Sequence, residues 1–145
     1  MKRLVRILVL AALGISAGRI HAEDTGAFKV IVNPSNPATQ MTRLKLGEIF
    51  LKKEKRWPDG QPAVPVEPSG KSPVRQRFDQ EIFGKPVIAI SAYWQQMIFG
   101  GKGVPPPEKS NDAEVVTFVR DTPGAVGYVS AGADASGVKV VAVVD

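Results

Sequence analysis

One stretch of the sequence brings together the groups that grip an oxyanion, Ser69-Gly70-Lys71-Ser72-Pro73-Val74-Arg75. Oxyanion recognition without histidine or metal draws on main-chain amides at a helix start, hydroxyl donors and an arginine fork, which together satisfy several anionic oxygens. Ser69 and Ser72 supply hydroxyls, Gly70 lets the backbone approach closely, Lys71 adds charge, and Arg75 falls within the first helical turn. The competing structural reading is a capped helix start with Lys71, Arg75 and Arg77 in solvent. A second candidate is Asn33-Pro34-Ser35-Asn36-Pro37, with Ser35 and Asn36 as the binding residues, because ligands of open α/β sheets sit beyond the carboxyl ends of strands. The same residues also spell an ordinary Asn/Pro turn.

What the chain lacks narrows the chemistry further. Lys2, Arg3 and Arg6, the apolar run Ile7 to Ala17 and the small-residue end Ile20-His21-Ala22 make residues 1–22 an expected cleaved signal peptide, leaving 23–145 as the domain. The apolar run is far short of the ~20 residues that span a bilayer. The expected signal takes four of the nineteen basic residues with it and leaves fifteen against fourteen acidic ones, so there is no basic face for nucleic acid. It also takes the one histidine, His21, and the chain has no cysteine. Thiolate chemistry, disulfides and a Ser-His-Asp triad are excluded on that count, and a zinc site has no usual ligands. The expectation is an exported, periplasmic protein that is not an enzyme and carries no cofactor.

The elements that must position these residues follow from periodicity. The β-branched run Phe28 to Asn33 reads as a buried first strand. Thr42 stands at a helix start, and Leu46, Ile49 and Phe50 repeat at helical spacing before the turn Pro58-Asp59-Gly60. Ala63 to Val66 reads as a short strand, confined to an edge by Pro62 and Pro65. Ser72-Pro73 opens a second helix closed by Gly84, and Val87 to Phe99 forms a third, with Ile90, Trp94, Met97 and Ile98 on one side. Asn111 and Glu114 have capping-box spacing ahead of Val115, Phe118 and Val119. Val126 to Ser130 and Val138 to Val144 are further strands, the last apolar enough for cover on both faces. Strands alternating with helices imply an α/β single domain with a mostly parallel sheet and flanking helices. Roughly 123 residues suffice for one such core, burying about two thirds of the unfolded surface.

Three segments carry a family resemblance: Leu46-Gly47-Glu48-Ile49-Phe50-Leu51 with its following Trp57-Pro58-Asp59-Gly60 turn, the Trp94 to Gly100 helix end, and Thr122-Pro123-Gly124-Ala125-Val126-Gly127-Tyr128-Val129. Together they resemble the substrate-binding proteins of phosphate ABC transporters, over nearly everything from Phe28 to Val144. The resemblance implies one lobe of a type II periplasmic-binding-protein fold, binding phosphate or a related oxyanion and delivering it to an ABC transporter permease. It also identifies the Ser69 to Arg75 stretch with the family's Ser-Gly-Thr phosphate loop. In that register Ser72-Pro73-Val74 keeps only the serine: proline removes an amide donor and valine a hydroxyl. Hydrogen bonds to charged groups contribute about 1.5 to 3 kcal/mol each, so two fewer weaken a phosphate site by orders of magnitude. The alternative is a ligand-free module of the same fold that binds another envelope protein.

Overall fold

The computed structural model describes residues 25–145, so the signal-peptide expectation lies outside the described residues. In chain order the elements are β1 (Phe28–Val32), β2 (Gln40–Thr42), α1 (Arg43–Phe50), β3 (Val64–Pro65), β4 (Glu67–Pro68), α2 (Pro73–Phe83), α3 (Val87–Phe99), β5 (Glu108–Lys109), α4 (Asp112–Asp121), β6 (Ala125–Ser130) and β7 (Lys139–Val144). Five strands form one sheet in the order β2-β7-β1-β6-β3, and β4 pairs with β5 in a separate two-stranded ribbon.

The α/β class and the one-lobe architecture hold, but the sheet is mixed rather than mostly parallel. β1 lies between β6 and β7 and runs antiparallel to both, while the outer pairs β2 with β7 and β3 with β6 are parallel. Alternation of strands and helices implies parallel neighbours only when consecutive strands lie side by side. Here the first strand is inserted between the last two, which reverses the central pairings.

Two layers cover the sheet. On one face α1 and α2 bury Leu46, Ile49, Phe50, Val74 and Phe78 against Val30, Val32, Val126 and Tyr128. On the other, α4 packs Val115, Val116 and Val119 against Ile31, Ala125 and Val129. The strand period of two sends neighbouring residues of β1 and β6 to opposite faces, so both strands serve both clusters. β7 is not covered on both faces: Val141 is buried, whereas Val140 is 50% exposed. One strand from the sheet border, β7 has a helix layer on one side alone.

The glycines of the Thr122 to Val129 stretch are structural. Gly124 has φ 79°, and a Cβ there would lie 2.1 Å from the Pro62 carbonyl oxygen. Its own carbonyl accepts from the Trp57 indole at 2.9 Å and from the Val64 amide at 3.0 Å. The Trp57 turn and the Gly124 turn, two of the resembling segments, are thereby bonded to each other. Gly127 gives α4 its close approach to β6, since an added Cβ would meet Val115 and Val66 each at 2.9 Å.

Candidate binding site at the start of the second helix

The local chemistry of Ser72-Pro73 builds this helix start as the sequence requires. Ser72 is the N-cap, its hydroxyl accepting from the Val74 amide at 3.2 Å, and Pro73 occupies the first turn without leaving an amide unpaired. Ahead of it the chain turns: the Ser72 amide donates to the Ser69 carbonyl at 2.9 Å, and the Ser69 hydroxyl accepts from the Lys71 amide at 3.4 Å. The Ser69 amide donates to the Lys109 carbonyl at 3.0 Å, fastening the loop to β5. Lys71 is exposed, Ser69, Gly70 and Ser72 are half-buried, and none of the four lines any of the cavities described below.

Arg75 takes a different course from the other residues of its stretch. It is 3% exposed, and its guanidinium is held by carboxylates rather than offered to solvent. Nε donates to Asp79 at 3.0 Å, while Nη1 lies 3.0 Å from Glu67, 3.3 Å from Glu108 and 3.2 Å from the Pro68 carbonyl. Glu67 and Asp79 are buried with the guanidinium and Glu108 reaches it from the solvent side, so negative charge is in excess around one buried cation, and that excess is relieved by keeping a proton. Burial is the main cause that pushes Glu67 up to about 8, with Asp79 and Glu108 adding to it and Arg75 opposing it. Burial also raises Asp79, against the pull of Arg75. Even with Glu67 neutral, two carboxylates face one guanidinium, and no positive charge is left over for an anion.

Sequence reasoning missed this cluster. The Arg75 and Asp79 spacing of four residues on one helix was a signal for an ion pair, and Glu67 within the apolar run Val66 to Pro68 was a signal for burial. Nothing in local spacing brought Glu108 to them; the β4–β5 ribbon does that, by pairing Glu67 with Glu108. Beside the cluster lies a cavity of about 210 Å³ lined by Glu67, Arg75, Trp94, Ile98, Pro105 and Glu108, among others. Below it, Tyr128 stacks on Phe78 at 3.7 Å between ring centres, its hydroxyl buried without a partner.

The second candidate stretch is a brace. Asn33 directs its amide nitrogen at the carbonyls of Val119, Arg120 and Thr122, at 3.0, 3.0 and 3.1 Å, closing the end of α4. Its carbonyl oxygen accepts from the Ser35 amide at 3.0 Å and the Ser35 hydroxyl at 2.7 Å. Asn36 is 3% exposed, its side-chain oxygen accepting from the Ala38 amide at 2.9 Å. Together with Trp57 and Pro58 it lines a mostly apolar cavity of about 190 Å³, contiguous in residues with one of about 260 Å³ beside Met41 and Val144. The structure thus ties Asn33 to α4, bonds Ser35 to Asn33, sets Asn36 beside the Trp57 turn and fastens Ser69 to β5; it does not bring the two stretches together in one cavity. Among the described residues no three His, Cys, Asp or Glu side chains are grouped to hold a metal ion. No helix among them is long and apolar enough to cross a membrane.

No protein-family model matches the chain, and no curated protein sequence matches it significantly. Solved structures do match. A protein from Clostridium perfringens, described as a candidate phosphate ABC transporter substrate-binding protein with bound phosphate, superposes with a TM-score of 0.63 at 20% identity, over 81% of this chain and 44% of that one. An ABC-type phosphate transport receptor from Vibrio cholerae gives 0.63 at 22% identity, over 82% and 48%. A candidate phosphate-binding protein from Planctomyces limnophilus gives 0.62 at 25% identity, over 82% and 42%. The chain therefore has the fold of phosphate ABC transporter substrate-binding proteins and spans less than half the length of these neighbours.

Proposed function

We propose that this chain is an exported, non-catalytic binding lobe of the receptor fold that works in the cell envelope through protein contact, with phosphate-class oxyanions held weakly at the open Ser69 to Ser72 loop. The observation that carries this reading is the engagement of Arg75 by Glu67, Asp79 and Glu108. A guanidinium so committed, in an acid-rich corner, is not a fork for an anion. What remains at the loop is two hydroxyls, one of them already a helix cap, the Gly70 amide and a solvated lysine, with no enclosing cavity to strengthen them. A charge in high dielectric attracts only modestly at a few ångströms, so such a set binds weakly.

The second reading is capture of phosphate for delivery to an ABC transporter permease, favoured by the likeness to the Clostridium perfringens protein with its bound phosphate. Isothermal titration with phosphate, sulfate and molybdate separates the two. Weak open-loop contact corresponds to dissociation constants in the millimolar range, about −4 kcal/mol, or to silent titrations. A micromolar or tighter constant for phosphate would establish the second reading instead. Cross-linking in intact cells then identifies the envelope protein that the first reading requires.

A further inference from the structure

The cavity of about 210 Å³ beside the buried ion cluster is lined both by charge and by carbon: Glu67, Arg75 and Glu108 supply the first, Trp94, Ile98 and Pro105 the second. Glu67 is its unusual member. The residue is 4% exposed; its carboxyl meets Arg75 through Oε1 at 3.0 Å, while Oε2 receives no hydrogen bond among the described residues. Buried polar groups ordinarily have a partner, so an acceptor left open beside a cavity calls for a donor from outside the chain.

The surrounding charge sets the sign of that donor. The charged and titratable groups that act on Glu67 are Arg75 and Asp79 of α2, Glu108 of β5, Lys52 after α1 and the phenol of Tyr128 in β6. Two cations stand against three carboxylates, so the set is one positive charge short when Glu67 is ionised. A proton on Glu67 fills that deficit, and so does one monovalent cation in the cavity. A metal ion is the poorer occupant, because only two carboxylates line the cavity and, among the described residues, no three ligating side chains are grouped for one. An alkylammonium brings three donors on one head, and its carbon chain suits an aromatic and aliphatic lining. We propose that this cavity binds a small primary amine in its ammonium form, with Glu67 and Glu108 holding the charged head and Trp94, Ile98 and Pro105 covering the carbon chain. The space corresponds to about seven waters at roughly 30 Å³ each, hence to a free amine of a few carbons.

Titration of the full-length chain with n-butylammonium chloride, followed by the indole N–H signals of its two tryptophans, tests the proposal, with Trp94→Phe assigning the signals. The Trp94 signal is expected to move saturably, with a dissociation constant on the order of millimolar for a ligand of so few atoms, while the Trp57 signal stays fixed. The uncharged n-butanol is expected to move neither. Glu67→Gln, which keeps the size of the side chain, is expected to weaken binding about 10- to 100-fold with unchanged circular dichroism, and Glu108→Gln, at a more exposed position, to weaken it less. An alkylammonium stays charged well above pH 8. The amine displaces the Glu67 proton, so affinity is expected to rise about fiftyfold from pH 6 to pH 8, to level off above that, and to be flat in Glu67→Gln. The peptide glycyl-lysyl-glycine carries the same head on a protein backbone and is expected to bind more weakly than the free amine. No saturable movement of Trp94, an equal response to n-butanol, undiminished binding in both glutamine variants, or tighter binding of the peptide would each overturn the proposal. None of Ser69 to Ser72 lines this cavity, so these outcomes are independent of the anion titrations.

Discussion

Arg75 shows how one residue type supports two opposite chemistries. On sequence it is a donor at the start of a helix; in the fold it neutralises acids brought from α2, β4 and β5. Its charge is a local structural need, because removing one partner from a buried ionic set strands the others at a cost of about 3–5 kcal/mol. The proton kept by the cluster has a consequence for stability. Between 4.5 and about 8 the folded chain holds a proton on Glu67 that the unfolded chain has released. The stabilisation is therefore fully present below the lower value and is lost as the pH rises through the upper one. Denaturant midpoints measured across this range are expected to fall with rising pH, and Glu67→Gln to flatten the fall. A slope unchanged by the substitution would show that the proton resides elsewhere.

At the level of elements, capping and periodicity were legible because they depend on residues next to one another. Thr42, Ser72 and Asn111 cap the helices where their side chains suggested, Gly84 closes α2 in the left-handed conformation, and α3 has the bounds its apolar run indicated. The candidate binding residues were harder to read, because their roles are decided by segments far away in sequence. Asn33 closes a helix that ends nearly ninety residues later in the chain, and Glu108 reaches Arg75 through a ribbon whose strands have two residues each. Gly127 is a similar case, since its lack of a side chain is explained only by α4 and Val66 closing over it. Gly127→Ala is expected to destabilise by about 1–3 kcal/mol through overpacking against Val66 and Val115, read as a lower urea midpoint at constant slope. An unchanged midpoint would mean that α4 shifts freely over β6.

At the scale of the whole molecule, the two apolar clusters are opposite faces of one sheet and share β1 and β6. Neither can melt without exposing the backbone of the other, so the lobe is expected to unfold in a single transition. In Trp94→Phe, tryptophan fluorescence senses Trp57 in one cluster, and it and far-ultraviolet circular dichroism should give the same midpoint; separate midpoints would show that the layers are independent. The sheet's borders add a final property. β2 has three residues and β3 two, the latter ending in Pro65, so neither flank presents a run of free backbone groups long enough to template an incoming strand. Concentrated solutions of the native chain should accordingly resist fibril formation, and amyloid-type growth has to wait until the sheet itself has opened.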